Sequence, residues 1–491
     1  MNAVLTQRRD VSSPDTDPKS NGHSSTETIT HGADVFVSSF HEYKEGYEKL
    51  TQNKLSRDLR RCLSRTVLPL VLITLMPNFV LILWYTAVQS DGNFTNIIRY
   101  LASQGVIDGL TEMWSSVRIC SPLSVSLVLG YAVWGLVMMK FLPGKDVEGP
   151  LTPKGNTPVY KDNGFLYYVT TMMTFFALAF ALKLTGYTPS VVYDSFGEIL
   201  TTLNVFSLVF CIGLYLKGIY SPSSSDSGST GNVIFDYYWG TELYPRILGF
   251  DVKVFTNCRF GMMVWALLVA IFAMKSFELH GIVDSMIVSS VLQLVYISKF
   301  FWWESGYLRT IDIMLDRAGF YICWGCLVYI PGLYASVSLY LVSHPIKLGP
   351  FWSALILGTG LVSVFVNYKA DMQKQEVRYA NGDCLVWGRK PEIIRAKYQL
   401  ENGEERESIL LASGWWGLAR HFHYVPELLL AFMWTVPALF SHIMPYSYVI
   451  FLFILLTHRS YRDDNKCVKK YGNFWQEYCR RVPHRIVPYL F

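Results

Sequence analysis

Apolar runs long enough to cross a bilayer punctuate this chain from residue 66 onward. A spanning helix needs about 20 mostly apolar residues, each rising about 1.5 Å through a hydrocarbon core about 30 Å thick. Such runs lie near 66–88, 120–141, 165–184, 198–217, 260–276, 285–302, 320–342 and 350–367. A run at 425–441 and a shorter one at 444–457 follow a long polar interval. The pattern predicts an all-α polytopic membrane protein of about ten transmembrane helices. Residues 1–55 are rich in Ser, Thr, Asp and Asn without periodicity, which predicts a disordered cytosolic tail. Residues 56–491 are then one membrane domain. Between 369 and 409, the stretches GDCLVWGRKP and KYQLENGEER predict a hairpin-like excursion that forms a small cytosolic cap. No internal repeat is evident, which argues against transporters built from duplicated halves.

Basic residues orient the spans. Arg57, Arg60, Arg61 and Arg65 precede the first run, so the N-terminus is expected in the cytosol, and an even number of spans returns the C-terminus there. Lysines and arginines recur in the loops this places in the cytosol, and most densely in 368–424 and after 457. Asn93-Phe-Thr95, a glycosylation acceptor, falls in the first loop on the opposite side.

Composition agrees: 51% of residues are hydrophobic and 16% charged, where soluble domains carry about a quarter charged. A net charge of +5 spread over loops, with no recognisable module, excludes nucleic-acid binding. Nine scattered cysteines, several inside apolar runs, do not form a disulfide framework. Cys323-Trp-Gly-Cys326 has the spacing of a zinc or redox motif but lies in an apolar run with no second ligand pair, so membrane packing is expected and no metal.

Four polar constellations carry candidate chemistry. Lys374 and Arg378, spaced i,i+4 and followed by Arg389 and Lys390, read equally as a positive-inside anchor or as a phosphate clamp. Trp415, Trp416, Arg420, His421, His423 and Tyr424 sit where polar sequence meets an apolar run, either as an interfacial belt or as a wall for a flat ring. Arg459, Arg462, Asp463, Lys470, Tyr471 and Tyr478 recur at helical spacing beyond the last run, placed to close over a nucleotide. Asp236, Glu242, Glu304, Tyr307 and Asp312 put ionisable groups near membrane depth, where they default to functional suspicion unless span ends solvate them. Gly358-Thr-Gly360 lies inside an apolar run and not after a strand, so a dinucleotide-binding turn is absent and any nucleotide must sit in a helical bundle.

GNVIFDYYWGTELYPR and LLTHRSYRDDNKCVKKYG resemble the two signatures of the sterol reductase family, which includes sterol C14-reductases, sterol Δ7-reductases and the membrane part of the lamin B receptor. VEGPLTPKGNTPVYKDNG, FFWWESGY, DRAGFYICWGCLVY, GDCLVWGRKP and SGWWGLARHFHYVPE resemble the plant-like Δ7 branch, and the likeness covers roughly 65–491. The resemblance implies NADPH-dependent reduction of the C7–C8 double bond of 5,7-diene sterols drawn from the bilayer. It also implies an endoplasmic reticulum membrane setting, a C-terminal cytosolic-facing NADPH pocket, and other sterol-biosynthesis enzymes as partners. The family's NADPH contacts fall on Lys374, Arg378, Leu411, Trp416, His423, Tyr424, Asp463, Cys467, Val468, Lys469, Lys470, Tyr471 and Tyr478. An unpolarised ring alkene needs a proton as well as hydride, so an acid is expected near the sterol. Glu304, Tyr307 and Tyr334 are the candidates, with Asp463 orienting the nicotinamide. His423 stands where many members have Asn, and Leu315 where relatives often have His. Alternatives are C14 reduction, a non-catalytic sterol-binding scaffold, and an isoprenylcysteine-type methyltransferase, whose Arg-His-x-x-Tyr stretch and charged tail are similar.

Overall fold

The computed structural model describes residues 54–152, 154–399 and 403–490. The chain divides into two units, Met1–Ser64 and Arg65–Phe491. Most of the expected tail lies outside the described residues; of the first unit, only a basic helix begins within them, at Lys54–Cys62.

Eight helices of the described residues are long and apolar enough to cross a membrane. They are built on α1 (Leu68–Gln89), α2 (Pro122–Phe141), α3 (Gly164–Leu184), α4 (Phe196–Tyr220), α5 (Met263–His280), α6 (Asp284–Trp302), α7 (Ser336–Ser343) and α8 (Pro350–Tyr379). The remaining two apolar runs become α9 (Tyr424–Thr435), extended by one further turn, and the first half of α10 (Ser447–Tyr471). Their ends follow local chemistry. Ser121 caps α2, accepting from the Ser124 amide at 3.2 Å, with Pro122 in the first turn. Gly472, at φ +52, breaks α10 from α11 (Asn473–Arg481).

The two most buried spans begin or run π-helical: Phe255–Met262 leads into α5, and Phe320–Tyr334, which contains Pro331, leads into α7. These segments pack on each other so closely that a Cβ at Gly261 would sit 2.6 Å from the Cys326 carbonyl oxygen. The span containing Phe320–Tyr334 is 83% buried, against 17% for α2, so it is the centre of the bundle and α2 its rim. Cys323 and Cys326 lie in it as buried free thiols.

Strand is confined, among the described residues, to three antiparallel pairs: β1 (Lys145–Glu148) with β2 (Val159–Asp162), β3 (Arg246–Ile247) with β4 (Phe250–Asp251), and β5 (Ile393–Gln399) with β6 (Glu405–Leu411). The last is the expected excursion, registered Ile393 to Leu411 and Gln399 to Glu405. It starts later than the apolar run predicts, because α8 stays helical through Tyr379, twelve residues beyond 367. Strand alternation gives this hairpin two apolar faces. Ile394, Ala396 and Leu410 pack on Tyr471, Trp475, Tyr478 and Val482, while Ile409 and Leu411 pack on Val377 and Trp416. The hairpin therefore wedges the C-terminal helices against the end of α8.

The loop between α6 and the Phe320–Tyr334 segment is held by one buried cation, Lys253, and two part-buried ones, Arg459 and Arg462. Lys253 Nζ donates to the carbonyls of Ile313 (2.7 Å) and Asp316 (2.6 Å), Arg459 pairs with Asp312, and Arg462 grips Asp316 with both terminal nitrogens. Asp236 and Glu242 serve similar ties: Asp236 accepts from Thr230 and Ser229, and Glu242 from Lys217 and Ser223. Leu315 ends the short helix Ile311–Met314 in this loop.

Candidate functional site

α6, α8 and α9 pack mutually, and the start of α9 meets the last turns of α8. There the side chains of the stretch at 415–424 converge. Gly414, at φ +63, turns the chain so that the Trp415 amide donates to Gln373 Oε1 at 2.8 Å. A Cβ at Gly414 would lie 2.2 Å from that oxygen. Trp416 then points inward, donating Nε1–H to the Ala370 carbonyl at 2.7 Å. The Lys374 ammonium rests on its face, 3.6 Å from the ring centroid. His423 lies 4.9 Å from Trp416, Tyr424 4.3 Å from His423, and His421 stacks on Tyr424 at 5.2 Å and 8°.

A hydrogen-bond chain fixes this wall from the membrane side. Lys299 on α6 donates to Asn367 Oδ1, and Asn367 Nδ2 donates to the His423 carbonyl at 2.9 Å. From the other side, the C-terminus straps it down. The amides of Arg420 and His421 donate to the carbonyls of His484 and Arg485, and the Arg420 guanidinium donates to those of Val482 and Pro483. Arg485 pairs with Asp464 at 2.6 Å, and Tyr478 donates to the Trp416 carbonyl at 3.4 Å. Asp463 approaches His421 Nε2 at 4.0 Å and the Cys467 thiol at 3.9 Å.

The structure thus brings together Lys374, Trp416, His423, Tyr424, Asp463, Cys467 and Tyr478, with Leu411 packed behind Trp416. Arg378 lies one turn beyond Lys374 with its Nε on the Ile409 carbonyl at 3.2 Å. Lys470 and Tyr471 sit on the hairpin side, the Lys470 ammonium 3.9 Å over the Tyr398 ring. Val468 and Lys469 occupy the exposed face of α10, away from this convergence. Tyr334 belongs to a separate aromatic chamber deeper in the bundle, where Trp265 lies 5.2 Å from Tyr334, 5.7 Å from Tyr296 and 5.8 Å from Trp434, and Tyr448 4.6 Å from Tyr334. Glu304 lies apart from the aromatic wall, in a two-point pair with Arg259, whose Nη2 also donates to Asn163 at 2.7 Å. Tyr307 packs on Phe300 with its hydroxyl buried and without a partner, and burial holds that hydroxyl well above the usual phenol range. Residue type and spacing do not single out Lys299 or Gln373, and a lone amide within an apolar run is the one signal that marks Asn367.

Between α3, α6 and α8 an open, apolar groove of about 470 Å³ is lined by Phe165, Val295, Trp302, Val364 and Tyr368, with Ser298 and Lys299 as its polar edge. The groove and the aromatic wall share the Lys299–Asn367 link.

Burial and the neighbouring cations Lys374, Arg420 and Arg485 push the His421 imidazole down to about 4, against the opposing pull of Asp463, and hold His423 well below its usual value. Both rings are neutral in the fold. An unfolded chain protonates His421 below its ordinary value of about 6.5. The folded protein resists until about 4, so stability falls with acidification across that window, by roughly 3 kcal/mol in all. Thermal melts at pH 7 and pH 4.5 should show this drop, and His421→Asn should flatten it; an unchanged slope in the variant would assign the acid sensitivity elsewhere.

Fold and site together define a multi-pass helical membrane protein whose polar chemistry collects at one end of α8, α9 and α10. Residues 70–491 match the Ergosterol biosynthesis ERG4/ERG24 family, and the chain belongs to that family. It is 50% identical over 425 residues to the 7-dehydrocholesterol reductase of Arabidopsis thaliana, covering 86% of this chain and 96% of that protein. It is 36% identical over 384 residues to the 7-dehydrocholesterol reductase of Xenopus laevis, covering 77% and 81%. The Delta(14)-sterol reductase of Methylotuvimicrobium alcaliphilum is 34% identical over 428 residues, covering 86% and 94%. Membership sets the methyltransferase alternative aside and implies a reductase that draws on a reduced nicotinamide cofactor. The wall fits such a group. The Lys374 ammonium has no carboxylate within 4.0 Å among the described residues, and His421 Nε2 and His423 Nδ1 are buried without a hydrogen-bond partner.

Proposed function

We propose that this protein reduces the C7–C8 double bond of 5,7-diene sterols with NADPH, in the endoplasmic reticulum membrane, with both termini in the cytosol. The observation that carries this reading is the 50% identity, nearly end to end, with a 7-dehydrocholesterol reductase, against 34% with a C14-reductase. Lys374 and Arg378, one turn apart on α8, hold the cofactor's phosphates, where a charge-assisted contact is worth about 1.5–3 kcal/mol. Trp416, His423 and Tyr424 give its rings a flat wall, and Asp463 with the end of α10 covers them. Bound NADPH supplies hydride. The chain's own share is to keep that wall rigid through Asn367 and the C-terminal strap, to exclude water with the aromatic chamber, and to place a proton donor against the alkene. The open groove beside α6 offers an apolar path of sterol scale from the bilayer.

Expression in cells lacking their own Δ7-reductase tests the reading. Sterol profiles should shift from 5,7-dienes to 5-enes, while a Δ14 substrate offered alongside stays unreduced. Persistence of the 5,7-diene would leave a sterol-binding scaffold in place of an enzyme, and reduction of the Δ14 substrate alone would move the chain to the other branch.

A further inference from the structure

Resting on the Δ7-reduction reading, we propose that Glu427 is the group that gives the sterol ring its proton, with Tyr296 as its positioning residue. Glu427 is the one carboxylate on α9, an otherwise apolar helix, and α9 begins with the cofactor wall. It sits one turn below His423, its amide 3.4 Å from the His423 carbonyl, so the acid and the wall share a single rigid element. Tyr296 lies one turn from Lys299 on α6 and donates its hydroxyl to Glu427 Oε1 at 2.6 Å. Both ends of this pair are therefore tied to the Lys299–Asn367–His423 link that holds the wall.

The surroundings suit a ring substrate. Tyr296 borders the aromatic chamber, 5.7 Å from Trp265 and 5.5 Å from Trp434. Trp434 Nε1 is buried there without a partner. Glu427 is only half-buried, and among the described residues no cation lies within 4.0 Å of its carboxylate. Its second oxygen makes no hydrogen bond and is not fully buried, so it is free to meet a ligand. An ionisable group at membrane depth with one neutral partner is held there against a desolvation cost, which marks it for chemistry. Two other candidate donors, Glu304 and Tyr307, are less suited. Glu304 has both oxygens on the Arg259 guanidinium, and the Tyr307 hydroxyl is held above the ordinary phenol range.

The step balances simply. The O–H bond of protonated Glu427 breaks and a C–H bond forms at one alkene carbon. Hydride from the reduced nicotinamide forms the second C–H bond at its neighbour. The alkene is reduced by two electrons, the nicotinamide is oxidised, and the carboxylate regains its proton from water. Positive character that builds on the ring lies against the carboxylate left behind.

Full-length protein in nanodiscs decides this with two probes, a neutral 5,7-diene sterol and a sterol analogue carrying a protonated ring amine. Glu427→Gln should lower kcat by about 10²–10⁴-fold, the usual worth of a general acid. It should hold neutral-sterol affinity within about threefold and weaken the cationic analogue at least about 30-fold, the loss expected for one charge pair removed from a low-dielectric site. Tyr296→Phe keeps the carboxylate, so the analogue should still bind tightly while kcat falls about tenfold at constant KM, one hydrogen bond's worth. Analogue affinity unchanged in Glu427→Gln, or turnover within tenfold of the parent, overturns the assignment. Parallel loss in kcat and KM for Tyr296→Phe overturns its positioning role. Should Glu427→Gln not fold, Glu427→Asp replaces it, and must keep the analogue while losing kcat. A parent protein inert toward 5,7-dienes would end the Δ7 reading, whereas the analogue measurement judges Glu427 by itself.

Discussion

Arg259→Met should lower unfolding free energy by about 3–5 kcal/mol, and the double replacement Arg259→Met/Glu304→Leu should recover most of that loss. The pair is sealed: Arg259 is 0% and Glu304 1% exposed. Gly164 packs so near the carboxylate that a Cβ there would lie 2.4 Å from it, leaving no room for water to enter. Removing the guanidinium strands a carboxylate in that space, and the folded state must bear the desolvation of an uncompensated charge. Removing both ions leaves apolar groups of similar volume, which is near neutral for stability. Thermal melts of the three proteins in one detergent or nanodisc are the measurement. A double variant no more stable than the single would mean that the Asn163 contact and local packing, and not charge, set the loss. Activity adds a second reading, since a double variant that still reduces sterol removes Glu304 from the list of proton donors.

Lys374→Ala is expected to raise the KM for NADPH by about 10–100-fold, corresponding to one charge-assisted contact of about 1.5–3 kcal/mol, and to move the sterol KM less than about twofold. Arg378→Ala should act in the same direction. If the 2′-phosphate is what these cations hold, the preference for NADPH over NADH collapses in both variants. Steady-state kinetics with each cofactor check this. Equal increases in the cofactor and sterol constants would return the two cations to the plainer task of anchoring α8 at the membrane surface.

The spans were legible in the sequence because lipid leaves an apolar run little choice but a helix. What hydropathy does not report is where a helix stops outside lipid. α8 continues to Tyr379 and α10 runs unbroken from Ser447 to Tyr471, each carrying polar site residues past the end of its apolar run. The π-helical geometry of Phe320–Tyr334 was invisible for a related reason, since a segment apolar on every side shows no period from which its pitch could be read. At the site, Lys374, Trp416, His423 and Tyr424 stood out by residue type next to an apolar run, and they do converge. Their supports did not stand out. Asn367 acts on His423 from 56 residues away, and Arg420 meets Val482 across 62, separations that no local spacing encodes. Glu427 did leave a trace, a single acid within an otherwise apolar helix, which resemblance to a family motif alone did not bring forward.

The strap formed by Val482 to Arg485 lies beyond every span, yet it supplies the carbonyls that hold Arg420 and the backbone of His421. Insertion of the spans and closure of this latch are therefore separate events, since the latch lies outside all of them. A stop codon or frameshift just before Val482 would spare the membrane bundle and remove the latch from the wall.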